Sequence, residues 1–145
     1  MKKYILALVA MLMVSLGSFA QADKILGNYQ FNYNGKQSKV KVFKQGSTYS
    51  GQITYSSTAI GKDGKKKLDV KNPDASKRNV PVDQVVIVTG LKADEDGWWT
   101  GGKIYDPTSG KSYNLKCHFK DDNTLELKGG LMGIYTKTLI WNKIK

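Results

Sequence analysis

Trp98-Trp99-Thr100-Gly101-Gly102-Lys103-Ile104-Tyr105-Asp106-Pro107-Thr108-Ser109-Gly110-Lys111-Ser112-Tyr113 reads as two aromatic-rich strands folded back on each other through a turn. Pro107 sets φ early in that turn, Gly110 tolerates φ > 0 where pairing resumes, and Asp106 offers a carboxylate to nearby backbone N–H groups. The spelling predicts an antiparallel hairpin. Adjacent glycines inside its first strand, Gly101-Gly102, predict a bulge, a bend or the close approach of another segment.

Outward from this hairpin, period-two alternation recurs along the chain and helical periodicity is almost absent. The predicted strands are Ile25–Tyr33, Ser38–Lys44, Thr48–Ser56, Gln84–Leu91, Trp98–Tyr105, Lys111–Lys120, Thr124–Lys128 and Ile134–Lys143. Tight turns join most of them, among them Asn34-Gly35, Gln45-Gly46-Ser47, Asp94-Glu95-Asp96-Gly97 and Asp121-Asp122-Asn123. In the sixth strand Tyr113, Leu115, Cys117 and Phe119 share one face, and Asn114, Lys116, His118 and Lys120 share the other. Such a chain predicts an all-β fold: an antiparallel up-and-down meander of about eight strands. Closure into a small lipocalin-like barrel removes the sheet edges, and a two-sheet β-sandwich is the alternative.

Met1-Lys2-Lys3 followed by the apolar run Tyr4 to Val14 has the layout of a secretory signal peptide. Small residues allow cleavage after Ala20 or Ala22, and Ala20-Gln21-Ala22 favours the second. The expected organisation is a leader over 1–22 and one domain over 23–145, exported to the periplasm or beyond the cell, with no later segment apolar enough to span a bilayer. Without Lys2 and Lys3, 21 of the 23 basic residues face 12 acidic ones, a net charge of +9. This excess suggests an anionic envelope surface as a partner. Blocky, aromatic-interleaved basic patches are lacking, so nucleic acid is not expected. Lysines spread along exposed strands also guard sheet edges. A sole cysteine, Cys117, excludes an internal disulfide, so the core alone must hold the domain.

The long interruption, 57–83, exceeds an ordinary hairpin loop and is a candidate functional segment. Asn72 before Pro73 reads as the N-cap of one short helical turn, with Asp74 complementing its dipole. Arg78 is the only arginine. A planar two-pronged donor in a lysine background predicts a fork onto Asp69 or Asp74, either pinning the loop or serving to capture an anion.

The order and spacing of Asp69-x-x-Asn72-Pro73-Asp74-x-x-x-Arg78, Thr89-Gly90-Leu91, the Trp99-to-Tyr113 hairpin, Leu125 to Gly129 and a terminal Trp141 strand resemble a bacterial secreted family, domain of unknown function 2147. The resemblance covers nearly all of the expected mature chain. It implies a small exported calycin-like β domain with no assigned activity. Two departures stand out: Gly27-Asn28-Tyr29 replaces a Gly-Trp pair, and Arg78-Asn79-Val80-Pro81 replaces Arg-Pro.

No catalytic set is legible. His118 neighbours Cys117 on a strand, so the two point to opposite faces and cannot form a dyad. Asp69, Asn72 and Asp74 lack the spacing and the distal glutamate of a calcium loop, so neither metal nor cofactor is expected. The chain reads as a binding protein. In the first reading a small apolar or amphipathic ligand sits in the barrel mouth, lined by Trp98 or Trp99, Tyr105, Tyr113 and Trp141. In the alternative the barrel is solid and acts through its basic surface as an envelope-associated interaction domain.

Overall fold

The computed structural model describes residues 21–145. Most of the expected leader therefore lies outside the described residues. Eight strands follow one another: β1 (Gly27–Tyr33), β2 (Lys36–Gln45), β3 (Thr48–Ser56), β4 (Val86–Ala93), β5 (Trp98–Asp106), β6 (Lys111–Asp121), β7 (Thr124–Leu131) and β8 (Ile134–Ile144). Each pairs antiparallel with the next, and β1 pairs with β8 through Asn28–Ile144 and Gln30–Asn142. That last pairing closes an up-and-down barrel and rules out the two-sheet sandwich.

Alternation sends one residue in two to the interior. On β6, Leu115 and Cys117 are buried on the inner face, while Lys116 and His118 face outward, which separates the thiol from the imidazole as expected. An outer face of Asn, Lys and His reverses the apolar belt of a bilayer-spanning barrel. The Gly101-Gly102 pair is both a bulge and a close approach. Register shifts between Trp99 and Gly102, Gly101 has φ +72°, and a side chain on Gly102 would meet Leu91 Cδ2 at 2.6 Å.

Because consecutive strands alternate direction, the connections alternate between the two ends. The turns after β2, β4 and β6, the residues leading into β1 and the end of β8 share one end. The turns after β1, β5 and β7 and the segment 57–85 share the other.

The first end is closed. A 3-10 turn, Asp23–Ile25, lies across it where the sequence predicted the start of the first strand. Four side chains hold the turn: Trp99 Nε1 donates to Ala22 O at 3.1 Å, Tyr29 Oη to Ile25 O at 2.7 Å, Tyr49 Oη to Asp23 Oδ1 at 2.6 Å and Lys143 Nζ to Lys24 O at 2.9 Å. Above it pack Ile25, Tyr29, Val42, Leu125, Leu127, Cys117 and Trp141, all buried. Burial pushes the Tyr29 hydroxyl well above the usual phenol range and the Cys117 thiol up to about 12.

Candidate functional site: the open end of the barrel

The opposite half of the interior is not filled. A cavity of about 380 Å³ opens at this end, within the range of small-molecule sites. The barrel is thus neither wholly hollow nor wholly solid. Ile53, Ile87 and Leu115 form the buried part of the cavity wall, with Phe31, Ile104 and Leu139 beside them. Phe31 stacks on Trp141, ring centroids 5.2 Å apart, and so joins the cavity to the closed end. Tyr33, Tyr105 and Tyr113 stand on the strand ends nearest the opening, where Lys36, Lys67, Lys71 and Lys137 join the lining with one carboxylate, Asp106. Apolar walls below cationic groups suit a molecule with an apolar body and a polar or anionic end.

Gly129 matters for the space itself. It follows Leu127 on the inner face of β7, and a side chain there would meet only Asn114 O, at 3.8 Å. A Cβ at this position clashes with nothing, and the parity of β7 directs it toward the cavity that Gly129 lines.

The segment 57–85 forms part of the wall through Leu68 and Val70. Two isolated bridges, Ile60–Lys66 and Leu68–Pro81, give it internal order. Asp69 anchors it. This carboxylate is buried and accepts from Tyr105 Oη at 2.7 Å and Asn72 Nδ2 at 2.8 Å, which offsets its loss of water. Burial first, then the bond to Asp69, raises the Tyr105 hydroxyl above the usual phenol range. Lys71 Nζ donates to Thr108 O at 2.8 Å, and Gly110 packs against Lys71 O with no room for a side chain. Gly110 therefore serves two ends: φ of +73° and contact with the loop. In the same turn Asp106 accepts from Thr108 N at 2.9 Å, as the sequence predicts.

Several predicted roles change. Arg78 does not fork onto Asp69 or Asp74. Its Nε donates to Asn72 O at 2.7 Å and its Nη2 to Pro73 O at 3.4 Å, so it straps the loop through backbone carbonyls. Asp69 is unavailable to it because Tyr105 and Asn72 already occupy that carboxylate. The cap lies two residues later than expected. Asp74 caps the 3-10 turn Ala75–Lys77 by accepting from Ser76 N at 3.0 Å, while Asn72 Oδ1 accepts from Asp74 N at 2.9 Å.

Of the five aromatic residues expected around the mouth, the structure brings only Tyr105 and Tyr113 to the cavity. Trp99 and Trp141 are buried in the closed half instead, because β5 starts and β8 ends at that end. Trp98 lies on the outer face, stacked on His118 with centroids 4.0 Å apart. Lys36, Lys137, Leu68 and Val70 join the lining without a local motif to mark them. Strand parity carries a signal for Lys137, which shares the inward phase of Leu139 and Trp141.

A family model described as "Uncharacterized protein conserved in bacteria (DUF2147)" matches residues 27–143. Among solved structures, the chain is similar to a Helicobacter pylori protein, HP1028, described as belonging to the lipocalin family. Identity is 26%, the TM-score is 0.69, and 83% of each chain is covered. No curated protein matches.

Proposed function

The chain belongs to the DUF2147 family, and we propose that it binds a small apolar or amphipathic molecule, without catalysis, in the open half of its barrel. The observation that carries this reading is the cavity of about 380 Å³, with apolar walls below four lysines. Similarity to a protein described as a lipocalin supports it. Export to the bacterial envelope is part of the proposal and rests on the leader-like residues 1–22. Since Ala22 O is the acceptor for the Trp99 indole, cleavage after Ala20 keeps that acceptor in the mature chain. N-terminal sequencing of the exported protein is expected to begin at Gln21, and a start at Asp23 would refute this placement.

The test of binding is titration with 1-anilinonaphthalene-8-sulfonate, an aromatic sulfonate that fluoresces in apolar surroundings. One saturable site is expected in the native protein. Gly129→Leu is expected to abolish it while leaving the melting midpoint unchanged or higher, since the strand loses a glycine. Undiminished probe binding in a folded Gly129→Leu protein would defeat the proposal.

A further inference from the structure

Two two-residue hairpin turns at the open end share a backbone and differ in chemistry. Asn34-Gly35 has φ of 51° and 75°, and Met132-Gly133 has φ of 53° and 78°. Positive φ at both central positions favours Asn-Gly, and methionine bears a conformational cost there. Core packing does not offset that cost. Met132 is 93% exposed, with Leu131 at 58% and Ile134 at 67% beside it. Three apolar side chains at a tip, where neither the turn nor the interior wants them, mark a contact surface.

This tip adjoins the cavity. A groove of about 350 Å³ runs along Leu131, Met132 and Ile134 and shares Tyr113, Gly129 and Lys137 with the mouth. The groove therefore runs from the exposed tip to the rim.

Charge is distributed along the barrel axis. Segment 57–85 carries seven basic and four acidic residues. Two of those acids are already engaged, Asp69 by burial and Asp83 by Lys66 at 3.0 Å. At the closed end the turns hold Asp94, Glu95, Asp96 and Asp122, while Lys24 pairs with Asp122 and Lys44 with Asp23, both at 3.4 Å, and Lys143 lies against the strap, so the charges there come closer to balance. The basic excess of 57–85 turns the open end toward an anionic surface.

We propose that the open end docks on an anionic phospholipid bilayer. Leu131, Met132 and Ile134 enter the boundary between headgroups and acyl chains, and the lysines of 57–85 meet the phosphates. A flexible thioether suits a fluid, shapeless partner. Mouth-to-mouth pairing with a second copy would bring two positive ends together, and a tip of three apolar side chains is small for a protein interface. Docking stands independently of ligand binding; passage of a ligand along the groove rests on the reading above.

The experiment is co-sedimentation with phosphatidylglycerol-containing vesicles and with phosphatidylcholine vesicles. Binding is expected to the anionic vesicles alone, weakening about tenfold or more as salt rises from low to about 0.5 M. Met132→Asn fits the turn better, so it should raise the melting midpoint while weakening vesicle binding about tenfold. Lys62→Gln with Lys65→Gln should weaken it as well. Equal binding to neutral vesicles, or full binding by Met132→Asn, would overturn the proposal. So would a dimer that Met132→Asn dissociates with no vesicle binding by the native protein, which would assign the tip to a second copy. Probe titration of the native protein reports the cavity separately: native protein that binds anionic vesicles but no probe removes the ligand reading and leaves docking intact.

Discussion

At the closed end of the barrel the large aromatic side chains touch one another and a chain segment, whereas at the open end they stand around space. Tyr29, Trp99 and Tyr49 each direct a polar hydrogen at the strap formed by residues 22–25. Trp141 lies 6.0 Å from Tyr29 and 5.2 Å from Phe31, ring to ring. Tyr33, Tyr105 and Tyr113 share their rim with four lysines, whose charged groups favour water over a packed interior. The same inward alternation builds both halves. What differs is the crossing element: the closed end has a segment to pack against, and the open end has a loop that forms wall without filling the interior.

The largest effect that would break this contrast is expected at Trp141. Trp141→Ala should cost about 3–5 kcal/mol, read from the denaturant midpoint. It should also speed modification of Cys117, whose buried thiol, raised to about 12, is expected to resist thiol reagents in the native state. Tyr113→Ala, on the rim, should leave both nearly unchanged and weaken probe binding. Equal destabilisation by the two substitutions would mean that the halves are not distinct.

Next in size is Tyr105→Phe, at about 1–3 kcal/mol, because the buried Asp69 carboxylate loses a donor. Limited proteolysis within 57–85 should accelerate along with it. A change in global stability without faster loop cleavage would contradict the anchoring role.

Arg78→Lys should cost less, below about 1 kcal/mol, since its two bonds are exposed and accept a different cation. Its thermal midpoint and probe affinity are the measurements, and a marked loss of affinity would point to anion capture instead.

The smallest effect concerns acid. Tyr49 chiefly, and Lys44 beside it, hold the Asp23 carboxyl below its ordinary value. Stability from this depression is present above the ordinary value of 3.8 and lost as pH falls through the lower folded value. Tyr49→Phe should therefore move acid unfolding to higher pH, and an unmoved acid midpoint would disprove the coupling. At the alkaline side, burial and Asp23 raise Tyr49 itself to about 12, so its contribution fades as pH climbs from 10 toward that value.

Much of this molecule is legible in particular residues of the chain. Tyr113, Leu115, Cys117 and Phe119 announce an inner face by parity, and Thr48–Ser56 is bounded in the structure as the alternation predicts. The Asn72-Pro73-Asp74 stretch shows that a short turn must form, although the cap is Asp74. Asx bonding at Asn72 satisfies Asp74 N before the turn begins, a competition that local spelling leaves open. The mouth residues are harder to read. Trp98 and Trp99 are interchangeable by composition, and only pairing of Trp99 with Cys117 decides which faces inward. Parity gives Lys137 the inward phase of Leu139, but only the closed barrel sets it beside Tyr113, with its Nζ 5.2 Å from that ring.

By itself the sequence determined the all-β meander, its turns and the inward phase of most strands, because alternation and turn chemistry are local properties of the backbone. It also determined the long 57–83 interruption and the sign of the net charge. The tertiary structure alone decided that the sheet closes, which end is plugged, that Asp69 anchors the loop to Tyr105 while Arg78 straps it through backbone carbonyls, and that Met132 stands exposed beside the mouth. Those facts depend on contacts between residues far apart in the chain, where shape and burial select among pairings that local pattern allows equally.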